Sequence, residues 1–98
     1  MTQQSFDPQA VADAIRKLAP NAQLASDSRR IKLGDVFFAY PGDAGDGRTY
    51  IETAIEQGAA LVVLDPAGFS WNPDWKAPYL TVENLKQHAG YIAHAFYQ

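Results

Sequence analysis

The segment VFFAYPGDAGDGRTYIETAIEQGAALVVLD, residues 36–65, joins two apolar runs through a glycine-rich loop and a helical pattern. The first run, residues 36–40, and the second, residues 59–65, lack polar alternation, which is typical of strands covered on both faces. Between them, apolar residues recur at helical spacing over residues 51–55. A strand–helix–strand unit crosses over in the right-handed sense, so the segment predicts two parallel strands in one sheet.

Elements on either side of this segment complete the predicted sheet and its helices. Asp7 and Pro8 favour a helix start, because aspartate caps free N–H groups and proline fits the first helical turn. A short strand is predicted around residues 23–26, and the run PYLTV predicts another at 78–82. Helical spacing marks the first and last helices at Val11, Ala14, Ile15 and Leu18, and at Leu85, Ala89, Ile92 and Phe96. The chain is therefore predicted to be α/β, a small three-layer domain with a short, mostly parallel sheet and flanking helices.

Composition limits the class of protein and its partners. With 98 residues, 47% hydrophobic and 19% charged, the chain fits one domain that can bury a core without disulfides. It has no cysteine, which excludes a thiolate metal site and a cysteine nucleophile and agrees with a reducing cytoplasm. The net charge of −3 and the scattered Lys and Arg exclude nucleic acid as the main partner. No apolar run approaches the ~20 residues of a membrane span and no signal peptide is visible, so a cytoplasmic location without membrane contact is expected.

Other polar and aromatic residues carry no predicted chemistry. The stretch 66–78 is rich in proline, glycine and tryptophan, and we interpret it as a packed surface flap. His88 and His94 lie six residues apart on different faces of the last helix, which excludes a helical metal pair. The aspartates lack the spacing of a calcium loop, and no serine lies in a nucleophile elbow. The sequence therefore predicts no metal ligand and no catalytic residue.

Two polar loops follow predicted strands and are the candidate sites of ligand binding. SDSRR occupies residues 26–30 and PGDAGDGR residues 41–48, and in open α/β sheets ligands gather where strands end. The second loop is neither a phosphate-binding P-loop nor a dinucleotide fingerprint, because the required glycine and lysine spacing is absent. If the loops are neighbours they form one pocket, in which the Ser28 hydroxyl can bind a sugar or base. The residues alone leave this open against two structural turns.

The stretch DSRRIKLGDVFFAYPGDAGDGRTYIETAIEQGAALVV, residues 27–63, resembles the N-terminal domain of the Mur ligases. The shared pattern is Asp-Ser-Arg, then Gly-Asp-(Val/Leu)-Phe-x-Ala, then Gly-x-x-x-Asp-Gly-(Arg/His)-x-(Tyr/Phe)-Ile, and finally a Gly-Ala helix end and a Val-Val strand. These elements stand here at residues 27–29, 34–39, 42–51 and 58–63. Within the family the chain is most similar to the MurE type, which adds the third amino acid of the peptidoglycan stem peptide.

The resemblance implies that this domain binds the UDP portion of UDP-MurNAc-L-Ala-D-Glu. It assigns Ser26 and Ser28 to contacts with the uridine portion. It also implies that three residues of the glycine-rich loop complete the binding site, chiefly through their backbone: Asp43, Ala44 and Gly45. We expect the Asp43 carboxylate to point away from the ligand, because it would repel a diphosphate. The resemblance further implies that residues 46–47 shape the loop and that Arg29 braces it.

The same resemblance implies that the catalytic parts of the enzyme lie outside these 98 residues. Mur ligases use ATP and magnesium, and no Gly-x-x-x-x-Gly-Lys-(Ser/Thr) sequence occurs here. Residues 1–98 are expected to be the N-terminal domain of a longer ligase, inactive alone, with the central ATP-binding and C-terminal domains absent. The uncapped end of the last helix agrees with a chain cut from a longer one. The added amino acid, meso-diaminopimelate or L-lysine, is chosen in the C-terminal domain.

Two alternative functions stay open from the sequence. The domain can belong to the MurF-type ligase that adds D-Ala-D-Ala, which shares the glycine-aspartate loop but usually carries threonine at the position of Ser28. It can also be a non-catalytic interaction module that keeps the fold. In that case we expect an exposed apolar patch and no response to nucleotide.

Overall fold

Four parallel strands form the central sheet of the molecule. The structure, a computed structural model, describes residues 7–43 and 45–98. The sheet contains β1 (Leu24–Ala25), β2 (Val36–Ala39), β5 (Leu61–Leu64) and β6 (Tyr79–Thr81) in that spatial order, and a separate hairpin contains β3 (Pro41–Gly42) and β4 (Gly45–Asp46). The helices are α1 (Pro8–Leu18), α2 (Ile51–Glu56) and α3 (Leu85–Phe96), with short 3-10 helices at Ser28–Arg30 and Gly47–Tyr50.

The two apolar runs of the central segment form the middle of the sheet. β2 pairs in parallel with β5 along its whole length, from Val36 opposite Leu61 to Ala39 opposite Leu64. Every residue of both strands is buried, which explains why neither run alternates with polar residues. The predicted parallel strand–helix–strand unit is confirmed.

Successive residues of these strands point to opposite faces of the sheet, which divides the core in two. α1 and α3 cover one face, where the buried residues include Ala12, Ile15, Val36, Phe38, Leu61, Val63, Leu85 and Ile92. α2 and the flap of residues 66–78 cover the other face, around Phe37, Ala39, Ile51, Ala54, Val62 and Leu64. In the flap, Trp71 stacks on Tyr79 with ring centroids 4.1 Å apart, so its aromatics pack as expected. The predicted three-layer α/β class is confirmed.

Local sequence signals determine where the helices begin and end. The Asp7 carboxylate accepts hydrogen bonds from the backbone N–H groups of Gln9 (3.0 Å) and Ala10 (3.4 Å), as predicted for the start of α1. α2 ends before Gly58, whose φ of +107° favours glycine. The glycine-rich loop is more ordered than a simple turn, because a hairpin and a 3-10 helix precede the start of α2 at Ile51.

The open edge of the sheet at β1 is covered by the end of the last helix. The Leu24 N–H donates to the Tyr97 hydroxyl oxygen (2.8 Å), and that hydroxyl donates to Gln23 Oε1 (3.4 Å). An uncovered edge strand presents free backbone groups to other chains. Tyr97 therefore stabilises and protects the short strand that leads directly into the first polar loop.

Candidate functional site

A cleft of about 640 Å³ lies where β1 and β2 end. It is lined by the turn that follows β1, by β4 and the residue after it, and by the start of α2, through Ser26, Asp27, Ser28, Arg29, Gly45, Gly47, Tyr50 and Thr53. Small-molecule sites commonly occupy about 300–1,000 Å³, so the cleft has the size of a ligand site. The two polar loops of the sequence therefore meet at one cleft, at the edge of the sheet where α/β folds bind ligands.

The cleft receives three of the five residues predicted to bind substrate, which are Ser26, Ser28 and Gly45. Asp43 is not among the residues that line it. The Asp43 carboxylate instead accepts a hydrogen bond of 2.6 Å from Lys86 Nζ at the start of α3, and this bond lowers the pKa of Asp43. Ala44 lies outside the described residues. Both loops thus contribute to the cleft, while the Asp43 side chain is paired with α3.

An Asp-x-Arg pair shapes the wall that carries Ser28. Asp27 Oδ1 accepts hydrogen bonds from the Arg29 backbone N–H (2.9 Å) and from Arg29 Nε (3.0 Å), and Oδ2 accepts one from Nη2 (2.9 Å). The first bond caps the 3-10 helix, and the other two form a bidentate ion pair. Arg29, expected to brace the glycine-rich loop, is therefore bound within its own turn, and its side chain is 87% exposed.

Ser28 is buried although it belongs to a short loop. The Gln57 side-chain amide faces two backbone carbonyl oxygens, so its nitrogen is placed toward them. In that orientation it donates to the carbonyl oxygens of Ser28 (3.0 Å) and Ile31 (3.2 Å). Gln57 is the residue at which α2 ends. These two bonds therefore attach the serine turn to the helix whose first turn forms the opposite wall of the cleft.

The Asp27 pair predicts a specific pH dependence. Hydrogen bonds from the Arg29 side chain, and then from its backbone N–H, lower the pKa of Asp27 to about 2 from an ordinary 3.8. Because the native pKa lies below the unfolded one, the stabilisation is present above pH ~4 and is lost as the pH falls through ~2. We expect the Asp27 carboxyl carbon to titrate near 2 by NMR, and at a higher pH in Arg29→Ala, which loses the side-chain bonds but keeps the backbone N–H of residue 29. A midpoint that is the same in both proteins would contradict the pairing.

The same Asp-x-Arg geometry recurs in the second loop, in a buried setting. Arg48 donates to the Asp46 carboxylate from its backbone N–H (2.9 Å), Nε (3.0 Å) and Nη2 (2.9 Å), which lowers the pKa of Asp46. Arg48 Nη1 donates to the carbonyl oxygens of Asp65 (2.8 Å) and Ala67. The guanidinium lies over the Phe69 ring, 5.3 Å from its centroid. With 9% of its side chain exposed, Arg48 ties the hairpin loop to the chain that follows β5.

The family pattern quoted above includes Arg48 and Tyr50 but gives neither a role in the site, and Thr53 lies outside that pattern. For Arg48 a signal exists, since residues 46–48 repeat the Asp-x-Arg spacing of residues 27–29. Tyr50 and Thr53 follow the glycine-rich loop at helical spacing, three residues apart, and so share one face of the helix start. That spacing indicates which residues can line a cleft beside the loop, but it does not reveal that the cleft is there.

Two kinds of feature are absent from residues 7–43 and 45–98. These residues contain no group of three or more His, Cys, Asp or Glu side chains that could hold a metal ion. None of the helices they form has the length and apolar character needed to cross a bilayer.

A parallel sheet with a cleft of hydroxyl and backbone groups at its strand ends defines a small α/β domain with a candidate ligand site. Comparison with known proteins identifies its family. The model for the "Mur ligase family, catalytic domain" matches residues 22–97, and the chain belongs to the Mur ligase family. The family predicted from the sequence pattern is confirmed.

Three relatives with high similarity to this chain share one name. A UDP-N-acetylmuramoyl-L-alanyl-D-glutamate–2,6-diaminopimelate ligase of Janthinobacterium sp. (strain Marseille) is 52% identical over 90% of this chain and 17% of its own length. The ligase of that name from Neisseria meningitidis serogroup A is 51% identical over 76% of this chain and 15% of its own length. That from Pseudomonas aeruginosa is 36% identical over 92% of this chain and 18% of its own length. The chain spans about a sixth of the length of these relatives.

A solved structure shares the fold. The MurF ligase from Thermotoga maritima, determined in complex with ADP, matches with a TM-score of 0.58 and 24% identity over 72% of this chain and 16% of that chain. At this identity the likeness concerns the fold alone. It confirms the predicted fold class, an α/β domain like the N-terminal domains of the MurE and MurF ligases.

Proposed function

We propose that this chain is the N-terminal, UDP-substrate-binding domain of a MurE-type ligase, and that its cleft binds the UDP portion of UDP-MurNAc-L-Ala-D-Glu. The observation that carries the proposal is the meeting of Ser26, Ser28 and Gly45 at one cleft. Membership of the Mur ligase family supports it, as do relatives whose names begin with UDP-N-acetylmuramoyl-L-alanyl-D-glutamate.

The groups that line the cleft suit the polar edge of a uracil nucleotide. Serine hydroxyls both donate and accept hydrogen bonds, as uracil does through its N–H and carbonyl groups. Gly45 has a φ of +150°, and a Cβ there would meet no atom within 4 Å, so its backbone is open to a ligand. Among the described lining residues the one carboxylate, on Asp27, is paired with Arg29, which reduces its repulsion of a phosphate. In this proposal Asp43 and Ala44 complete the cradle through their backbone.

The proposed role of the domain is to position a substrate whose reacting carboxyl lies elsewhere. Binding energy from the non-reacting nucleotide is used to orient that carboxyl in the other domains of the parent ligase. ATP and magnesium, bound by those domains, supply the activation of the carboxyl for amide formation. The names of the relatives support 2,6-diaminopimelate as the amino acid that the parent adds. The proposed location is the cytoplasm, without a nucleic-acid or membrane partner.

Titration of the 15N-labelled chain with UMP tests this function. We expect amide shifts concentrated at Ser26, Ser28 and Gly45, with a dissociation constant of ~1 mM, because an incomplete site contributes only about 4 kcal/mol. AMP serves as the control, since its base presents a different hydrogen-bonding edge. Absence of shifts at these residues up to about 20 mM UMP would overturn the proposal. It would favour a non-catalytic interaction module.

A serine substitution sharpens the same measurement. Ser28→Ala is expected to weaken UMP binding about fivefold, because one hydrogen bond worth about 1 kcal/mol is lost. Ser70→Ala is the matched control, since Ser70 is an exposed serine of the flap, and it is expected to bind UMP like the wild type. Equal affinities of the two variants would contradict the role given to Ser28.

A further inference from the structure

One aromatic side chain belongs to the cleft and is not used by the proposal above. Tyr50 is the single aromatic among the described residues that line the cleft, and it is 55% exposed. It stands where the 3-10 helix of residues 47–50 passes into α2. Among the described residues its hydroxyl has no hydrogen-bond partner and its ring pairs with no other ring, whereas the aromatics of the flap stack on one another.

The surroundings of Tyr50 leave its ring available to a ligand. Tyr50 lines the same cleft as Ser28 and Arg29, so the tyrosine lies near the wall that carries Ser28. Thr53, one helical turn further on, also lines the cleft. The adjacent Ile51 is fully buried in the core between α2 and the sheet, so the start of α2 is held on the sheet by a side chain other than Tyr50.

We propose that Tyr50 is the platform on which the base of the bound nucleotide stacks, an inference that rests on the proposed function. Stacking of a base on an aromatic side chain contributes substantially to binding and tolerates any base, because every base has a π-face. The remaining described lining groups are glycine backbone and small or charged side chains, so Tyr50 supplies the one aromatic surface. Tyr50 therefore provides affinity for a base, while the serine hydroxyls distinguish which base it is.

Titrations of UMP into four proteins test this inference. Relative to the wild type, Tyr50→Leu is expected to bind UMP about tenfold more weakly, and Tyr50→Phe within about twofold. Tyr91→Leu is the matched control, because Tyr91 is a 68% exposed tyrosine on α3, across the sheet from α2, and it is expected to bind UMP like the wild type. Ribose 5-phosphate, which has no base, is expected to bind the four proteins equally.

The ligand's own NMR signals give a readout that a purely structural role would not change. The ring current of Tyr50 is expected to shift the H5 and H6 protons of bound UMP upfield in the wild type and in Tyr50→Phe, but not in Tyr50→Leu. Wild-type UMP affinity in Tyr50→Leu overturns the inference and leaves the proposed function intact. Failure of the wild type to bind UMP overturns both. If Tyr50→Leu does not fold, nuclear Overhauser contacts between the Tyr50 ring and H5 or H6 in the wild-type complex support the inference, and their absence overturns it.

Discussion

Replacing Arg48 by alanine is expected to lower the free energy of unfolding by about 3 kcal/mol. The truncation leaves the Asp46 carboxylate without its ion pair and the carbonyl oxygens of Asp65 and Ala67 without their donor, in a setting where Arg48 is buried. The net worth of such a pair is small, but removing one partner leaves the others unsatisfied. Chemical denaturation followed by circular dichroism measures the loss, and the melting temperature is expected to fall by about 10–20 °C.

The chain contains its own matched control for this prediction. Arg29 has the same spacing from its aspartate and nearly the same hydrogen-bond lengths as Arg48, but its side chain is almost fully exposed. An exposed ion pair contributes little, because water solvates both partners once they separate. Arg29→Ala is therefore expected to leave the unfolding free energy nearly unchanged. Equal destabilisation by the two substitutions would show that burial is not what gives Arg48 its role.

Arg48 and Gln57 explain how the cleft keeps its shape. The glycine-rich wall is anchored from beneath by Arg48, whose partners lie in the chain after β5. The serine wall is anchored separately by Gln57 at the end of α2. Each wall therefore has its own attachment to the rest of the fold, and neither needs a ligand to hold it. A cleft organised in this way avoids part of the ordering cost that binding would otherwise carry.

The centre of the fold is predictable from the sequence because its signal is local. Residues 36–39 and 61–64 are buried on both faces, so each strand is a continuous apolar run that a short window detects. The start of α1 at Asp7 and the stop at Gly58 also depend on single residues with strong conformational preferences. β1 has two residues only, and the bounds predicted for it, 23–26, are accordingly wider than the strand.

The order inside the glycine-rich loop is not predictable in the same way. Proline, glycine and aspartate have low strand propensity, yet Pro41–Gly42 pairs with Gly45–Asp46 in a hairpin. The contacts that hold this loop reach far along the chain: Arg48 binds Asp65 and Ala67, 17 and 19 residues later, and Asp43 binds Lys86, 43 residues later. A pattern read over one helical turn or one strand cannot register partners at such separations.

Gly58→Ala is expected to destabilise the chain by about 3 kcal/mol, through strain and collision together. Gly58 has a φ of +107°, which side chains disfavour, and an added Cβ would lie 2.9 Å from Leu33 Cα. Leu33 cannot move aside easily, because the next residue, Gly34, donates its N–H to the Gly58 carbonyl (2.8 Å). The site lies at the end of α2, next to Gln57, so the substitution also disturbs the attachment of the serine turn. Thermal and chemical denaturation measure the effect.

Gly90→Ala is the matched control, because Gly90 lies inside α3 and a Cβ there would meet no atom within 4 Å. Alanine is the better helix former, so this substitution is expected to stabilise the chain by up to about 1 kcal/mol. Two identical chemical changes should therefore act in opposite directions, and the sign depends only on backbone conformation and on the space around the new methyl group. If Gly58→Ala proved as stable as the wild type, the close contact between the end of α2 and the segment 33–34 would not exist in solution.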